Sequence, residues 1–197
     1  MRHIDRLIHQ ITPRPSPGAR SSLLSHKLSG VLHTAPTPNR DHQELAGHVW
    51  KWLREHWAQP GGNRADPPRN VVSVGGWPHD YRIPDVVLLT PDRFEFDRND
   101  YVEGPPAVVV EVRSPGDETY EKLPFYAALG VPEVWIVDHD SKQPQVNVLI
   151  EGDYTLQPAG SEGWMLSPTT SVRLRPENGK LAMQLGEDGG TKRLLPG

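Results

Sequence analysis

The chain has 197 residues, a formal net charge of −4 and no cysteine. This length is typical of one domain of moderate size, and the lack of cysteine excludes a disulfide framework and thiolate metal ligands. No apolar run approaches the roughly 18 residues of a membrane span, and Pro13, Pro15 and Pro17 break any signal-peptide region after Met1. We therefore expect a cytoplasmic protein. The net negative charge argues against a broadly basic surface that binds nucleic acid, although a local basic patch could still bind it.

The N-terminal part combines a proline-rich stretch with one strong helical pattern. Residues 1–22 predict a flexible tail, and residues 30–32 are consistent with the end of a short edge hairpin. A helix is predicted over residues 41–57, where apolar side chains recur at helical spacing. His42 lies on the apolar face of this helix and Glu44 on the opposite face, so His42 should point inward and Glu44 to water.

The middle of the chain predicts strands that alternate with helices, and a single domain over residues 23–176. Strands are predicted at Val71–Val74, Asp85–Leu89, Ala107–Arg113 and Glu133–Val137, with a hairpin over 145–157 and a last edge strand over 171–174. Residues 58–70 and 91–106 are predicted as loops. A second helix is predicted over 117–129, with Pro124 either kinking it or lying in its first turn. Residues 177–197 are expected to form a partly loose tail. This order predicts an α/β (α+β) fold with a mixed sheet flanked by helices.

Two acidic residues stand at the ends of strands that otherwise read as buried. Asp85 opens the run Val86–Leu89, and Glu111 follows the run Ala107–Val110. If the two strands pair as an antiparallel hairpin, these ends lie together. A buried carboxylate is costly unless something pairs with it or binds it. Two carboxylates and the Val112 carbonyl are oxygen ligands that suit Mg²⁺ or Mn²⁺.

The residues around these acids resemble a known family. The motifs are Pro84-Asp85, the stretch 108–115 (VVVEVRSP), the helix residues Glu118, Lys122 and Tyr126, and the stretch 130–138 (GVPEVWIVD). Together they look like the Uma-two family of restriction endonucleases within the PD-(D/E)XK nuclease superfamily. The resemblance implies a restriction-endonuclease-like core with a mixed curved sheet, and metal-dependent hydrolysis of phosphodiester bonds.

The resemblance also assigns expected roles to individual residues. It implies that Asp85 and Glu111 are the acidic metal ligands, and that Lys122 and Tyr126 face the site from the helix. His42 and Glu118 are expected to support the site from a second layer. Arg113 stands where the superfamily motif has lysine. Arginine cannot deprotonate and is no general base, although it can hold a phosphate. Lys122 would then supply the missing ammonium.

Structural explanations compete with each of these roles. Asp85 and Glu111 could form ion pairs with Arg113 or Arg82, and Lys122 could pair with Glu118 four residues before it. His42 could be an ordinary hydrogen-bonded core residue. These alternatives remain open at the level of sequence.

The sequence supports two main hypotheses about function. In the first, a metal-dependent endonuclease acts on nucleic acid, with DNA expected as its substrate. Asp85, Glu111 and the Val112 carbonyl hold Mg²⁺ or Mn²⁺, Lys122 orients or helps deprotonate the attacking water, and Arg113 binds phosphate with Tyr126 at the rim. In the second, an inactive protein of the same fold binds nucleic acid or dimerises. A metal-using hydrolase of another substrate is a third possibility. A homodimer is expected, with the edge strands at 145–157 as the pairing surface.

Overall fold

The two apolar runs that flank residues 91–106 form neighbouring strands in the middle of a sheet. The computed structural model describes residues 25–28, 31–34 and 40–196. Within this part of the chain the strands are β1 (Ser25–Leu28), β2 (Val31–Thr34), β3 (Arg64–Asp66), β4 (Asn70–Val72), β5 (Tyr81–Arg82), β6 (Val86–Leu89), β7 (Tyr101–Glu103), β8 (Val108–Arg113), β9 (Glu133–Asp138), β10 (Pro144–Ile150), β11 (Asp153–Leu156), β12 (Met165–Leu166), β13 (Val172–Glu177), β14 (Lys180–Leu185) and β15 (Arg193–Leu195).

The main sheet has six strands in the order β11-β10-β9-β8-β6-β3. Strands β8 and β9 are parallel, and the other neighbours in this sheet are antiparallel. The predicted mixed α+β fold is therefore confirmed. The four residues of β6 and the first five of β8 are buried. Strands covered on both faces are expected to be apolar along their whole length, which explains why these runs lack polar alternation.

The first helix covers one face of the main sheet. Helix α1 (Arg40–Leu53) continues through a π-helical segment (Arg54–Ala58) into the short α2 (Gln59–Gly61). His42 is buried and Glu44 is exposed, as the helical pattern predicts. The buried face of α1 packs in one core with Val110, Val112 and Trp135 of the sheet. This packing places the N-terminal turn of α1 near the ends of β6 and β8.

The second helix begins later than predicted and covers the opposite face of the sheet. A 3-10 turn (Tyr120–Lys122) leads into α3 (Leu123–Leu129), so the expected start at Asp117 is wrong. Asp117 instead accepts hydrogen bonds from the amides of Ser114 and Thr119 and thereby closes a turn. Pro124 lies in the first turn of α3, where its missing N–H costs no hydrogen bond.

The C-terminal region departs most from the sequence-based expectation. Residues 180–185 and 193–195 form β14 and β15, which join β12 and β13 in a four-stranded antiparallel sheet. The expected loose tail after Pro176 is therefore not found, and the strand predicted at 171–174 lies inside this sheet. The sheet contributes Leu174, Leu181 and Met183 to the core shared with α1.

Smaller elements complete the described chain. Strand β3 lies within the predicted loop 58–70, and β7 and a 3-10 turn (Pro91–Phe96) lie within the predicted loop 91–106. Strands β5, β4 and β7 form a side sheet, and the predicted hairpins of β1–β2 and β10–β11 are present. The tail predicted at 1–22 lies outside the described residues. In the part of the chain that the structure describes, no helix is long and apolar enough to cross a membrane.

Candidate active site

Asp85 lies immediately before β6 and is held against the end of β8. Its amide donates to the Val110 carbonyl at 3.0 Å, and its Oδ2 accepts from the Val112 amide at 2.7 Å. The antiparallel register pairs Val86 with Val110. The predicted hairpin geometry is therefore confirmed, and it brings Asp85 next to the residues that flank Glu111.

Glu111 points from β8 toward α3 and is almost completely buried. Its Oε2 accepts from the Lys122 ammonium at 2.6 Å, and its Oε1 accepts from the Tyr126 hydroxyl at 2.7 Å. Strand alternation puts Glu111 on this face, and helical spacing puts Lys122 and Tyr126 one turn apart. The alternative pairing of Lys122 with Glu118 is thus replaced by an ion pair with Glu111. Glu118 lies in the turn before α3, and its supporting role stays a prediction.

The burial of this cluster changes the proton affinities of its members. Burial raises the pKa of Glu111 to about 7, and the nearby charge of Asp85 adds to this effect, while Lys122 and Tyr126 oppose it. Burial alone would lower the pKa of Lys122, but the charges of Glu111 and Asp85 outweigh it and raise that pKa. Lys122 therefore remains an ammonium at neutral pH. Burial, together with the charge of Glu111, raises the pKa of Tyr126 well above its usual value, so it remains a neutral phenol.

His42 connects α1 to Asp85 from the other face of the sheet. Its Nε2 lies 3.1 Å from Oδ1 of Asp85, and its Nδ1 lies 3.1 Å from the hydroxyl of Ser114. Burial would lower the pKa of His42, but the hydrogen bond to Asp85 and the charges of Asp85, Asp117 and Glu111 raise it. His42 therefore joins Asp85 and Ser114 through its two ring nitrogens, and its role in supporting a site stays a prediction.

Ser114 and Asp117 belong to this network, and the sequence interpretation missed them. Ser114 follows Arg113 and so faces the α1 side of the sheet, where it meets His42. Its amide donates to Oδ2 of Asp117 at 2.6 Å. Strand alternation beyond Arg113, combined with the predicted inward direction of His42, could have found Ser114. Nothing local in the sequence indicates the role of Asp117.

Arg113 lies on the same face as Glu111 but pairs with another residue. Its Nη1 is 3.0 Å from Oδ2 of Asp138, its neighbour in the parallel register, and its guanidinium lies over the Tyr120 ring at 5.3 Å from the centroid. The alternative in which Arg113 pairs with Glu111 is therefore wrong. The ammonium that meets the buried carboxylate comes from Lys122.

The comparisons with known proteins bear on the family and the fold. The family model Uma2, described as "Putative restriction endonuclease", matches residues 16–183. The chain belongs to the Uma2 family. Uma2 membership supports a nuclease function in general terms. No curated protein matches the chain.

A crystal structure shows the same fold as this Uma2 protein. It is described as a putative nuclease belonging to DUF820 from Anabaena variabilis ATCC 29413. It superposes with a TM-score of 0.60 at 14% sequence identity, covering 78% of this chain and 86% of that chain. At this identity the likeness establishes the fold alone.

Restriction-endonuclease-like families generally use a divalent metal, and the oxygen atoms at this site are suitable ligands for one. The carboxylates of Asp85 and Glu111 are hard oxygen donors with lone pairs beyond those used in the hydrogen bonds above. The N–H and C=O of a strand residue point to the same edge, so the Val112 carbonyl faces Asp85 as its amide does. Among the described residues, no group of three or more His, Asp or Glu side chains could hold a metal ion. Water or substrate oxygens would have to complete the coordination.

Proposed function

We propose that this protein is a metal-dependent endonuclease that hydrolyses phosphodiester bonds in nucleic acid, with DNA as the substrate. The observation that carries the proposal is the cluster of Asp85 and Glu111 at adjoining strand ends, with the Lys122 ammonium 2.6 Å from the buried carboxylate. Asp85, Glu111 and the Val112 carbonyl would hold Mg²⁺ or Mn²⁺. When bound, such an ion neutralises phosphate charge and lowers the pKa of a bound water.

The residues around the carboxylates take different parts in this proposal. Lys122 remains protonated, so it orients the attacking water as a hydrogen-bond donor and does not act as its base. Tyr126 is fully buried and donates to Glu111, so it positions this ligand and does not contact phosphate at the rim of the site. His42 positions Asp85. The side chain of Arg113 is 31% exposed, which leaves part of its guanidinium available to a phosphate oxygen.

One observation favours a second candidate function. Arg113 replaces the motif lysine, and its guanidinium is bound to Asp138 beside the site. A protein of this fold that has lost activity could keep Arg113 as a phosphate contact, and would bind nucleic acid without cutting it. Such binding should weaken steeply with salt, because phosphate contacts release counterions.

Calorimetric titration with Mn²⁺ tests the proposal. The proteins to compare are the wild type, Asp85→Asn, Glu111→Gln and the control Glu133→Gln. Glu133 is buried like Glu111, but lies at the opposite end of the neighbouring parallel strand. We expect wild type and Glu133→Gln to bind Mn²⁺, and both site variants to lose binding.

Cleavage assays then separate the two candidates. We expect Mg²⁺- or Mn²⁺-dependent cleavage of DNA by the wild type and by Glu133→Gln, and none by the site variants. Mn²⁺ binding that persists in both site variants would refute the assignment of the metal to Asp85 and Glu111. Salt-sensitive DNA binding without cleavage or metal binding would favour the second candidate.

A further inference from the structure

Strand β11 forms an outer edge of the main sheet, and this edge is exposed. The sheet order ends with β11, and its residues Asp153, Thr155 and Leu156 are exposed, with Leu156 at 52%. Proteins usually protect an edge strand with an inner lysine, a proline or a bulge. The sequence Asp-Tyr-Thr-Leu of β11 contains none of these, and its one charged residue stands beside the hairpin turn. The edge is therefore open to pairing with another strand.

The alternation of hydrogen bonds between β10 and β11 shows which backbone groups of β11 face outward. The Gln157 amide donates to the Val146 carbonyl at 2.8 Å, so the peptide groups of residue 157 point toward β10. Successive residues of a strand alternate in this direction, so residues 153 and 155 also face β10. Tyr154 and Leu156 therefore present their N–H and C=O groups at the outer edge. The edge offers two donors and two acceptors.

We propose that a second copy of this chain pairs with β11 in antiparallel fashion, about a twofold axis that passes through Thr155. With this centre, Tyr154 lies opposite Leu156 of the second copy, and Leu156 lies opposite Tyr154 of the second copy. All four outward groups of each strand are then used in four intermolecular hydrogen bonds. A centre at residue 153 or 154 would leave some of them without a partner.

The side chains of β11 fit this register. Tyr154 and Leu156 are two residues apart and so lie on one face of the sheet, where the Tyr154 ring would cover the exposed Leu156 of the second copy. Aromatic–aliphatic contacts of this kind stabilise paired strands. On the other face of the sheet, Thr155 lies opposite Thr155 of the second copy, and Asp153 lies opposite Gln157 of the second copy. No two like charges face each other.

These features favour a second copy over a different protein. A twofold interface requires a surface that is complementary to itself when reversed. The segment from 153 to 157 meets this requirement in its hydrogen bonds, its apolar contacts and its charges. The pairing would join two six-stranded sheets into one of twelve strands, with both α3 helices and both Glu111 side chains on the same face. The proposal does not depend on nuclease activity.

Sedimentation equilibrium over a concentration series tests the interface. We compare the wild type with Leu156→Lys and with Ile150→Lys as a matched control, because Ile150 is 49% exposed on the same hairpin but lies on β10. We expect wild type and Ile150→Lys to dimerise, and Leu156→Lys to raise the dimer dissociation constant about tenfold or more. A monomeric wild type, or equal effects of both lysines, would overturn the proposal.

Cysteine cross-linking tests the register, since the natural chain has no cysteine. At the proposed centre, the two residues 155 face each other as a non-hydrogen-bonded pair about 4.5 Å apart, within the range of a disulfide. Residues 153 of the two copies would be about 14 Å apart along the strands. We expect Thr155→Cys to give a covalent dimer under mild oxidation and Asp153→Cys to stay uncross-linked. Cross-linking through residue 153 in preference to 155 would refute the register.

Discussion

The Lys122 ammonium lies 2.6 Å from Oε2 of Glu111, which ties the turn before α3 to the end of β8. The side chains are only 16% and 3% exposed, so water and salt screen this ion pair weakly. The same carboxylate also accepts the Tyr126 hydroxyl. Glu111 therefore links the stability of the helix–sheet contact to the protonation of the site.

Removal of the Lys122 ammonium should be strongly destabilising. Lys122→Met leaves the Glu111 carboxylate buried without its counter-charge, which should cost about 3 kcal/mol of unfolding free energy at pH 8. Urea unfolding measures this cost. Lys51→Met is the control, because the Lys51–Glu55 pair is exposed and should contribute close to nothing. The double variant Lys122→Met/Glu111→Gln should regain most of the loss, and a double variant no more stable than Lys122→Met would contradict this explanation.

The stability of the protein should fall as pH rises from about 4.5 to about 7. The folded pKa of Glu111, about 7, lies above its usual value of 4.5, so the folded state binds this proton more tightly than the unfolded state. The resulting stabilisation is complete below the unfolded pKa and is lost as pH rises through the folded pKa, a change of about 3 kcal/mol. Denaturant unfolding across this range should show a fall in stability that is larger by this amount in wild type than in Glu111→Gln, because both proteins keep the contribution of His42. Parallel pH profiles for the two proteins would rule it out.

The buried Tyr126 and the half-buried Tyr154 should differ in the cost of losing their hydroxyls. Tyr126 donates to a carboxylate, whereas Tyr154 donates to the Val131 carbonyl at 2.8 Å. Hydrogen bonds to charged groups contribute more, so Tyr126→Phe should cost about 2 kcal/mol and Tyr154→Phe about 1 kcal/mol. Guanidinium unfolding above pH 8, where Glu111 is ionised, measures both. Equal costs would mean that Glu111 is protonated under those conditions.

Arg113 should affect nucleic-acid binding without affecting metal binding. Its guanidinium is held by Asp138 and not by Glu111, so Arg113→Gln should leave the Mn²⁺ affinity unchanged in calorimetry. If Arg113 contacts a phosphate, the same variant should bind DNA more weakly. The slope of the logarithm of its DNA-binding constant against the logarithm of salt concentration should decrease in magnitude by about one. Arg98→Gln, which removes an arginine paired with Glu103 on β7, is the control. An unchanged salt slope in Arg113→Gln would remove this residue from the substrate interface.

Local patterns predicted the centre of the site because its geometry depends on short-range rules. Strand alternation and one antiparallel pairing suffice to bring Asp85 to the end of β8, and both follow from the apolar runs. Helical periodicity likewise gave the inward direction of His42. The resemblance to the Uma-two family added Lys122 and Tyr126, whose approach to Glu111 depends on how α3 packs on the sheet.

Long-range packing explains what the sequence did not reveal. The partner of Arg113 depends on the parallel register with β9, which brings Asp138 beside it. Trp52 is buried and its ring N–H donates to the Thr191 carbonyl, a contact 139 residues apart in sequence that no local pattern indicates. Pro176 and the surrounding glycines suggested a loose tail. The buried run Leu181–Gln184 forms a strand there, which pairs with the predicted strand β13 on one side and with β15, which the turn-rich composition concealed, on the other.

The C-terminal sheet has a practical consequence for how this protein is shortened. The polar, glycine-rich composition after Pro176 suggests that these residues are dispensable. A truncation there would remove β14 and β15, and with them Leu181, Met183 and Leu195 from the core. Apolar side chains on α1 would then be open to solvent, including Trp52. A shortened chain should accumulate as insoluble aggregates when expressed. A loss of metal binding in such a chain would result from misfolding and would give no information about the metal ligands.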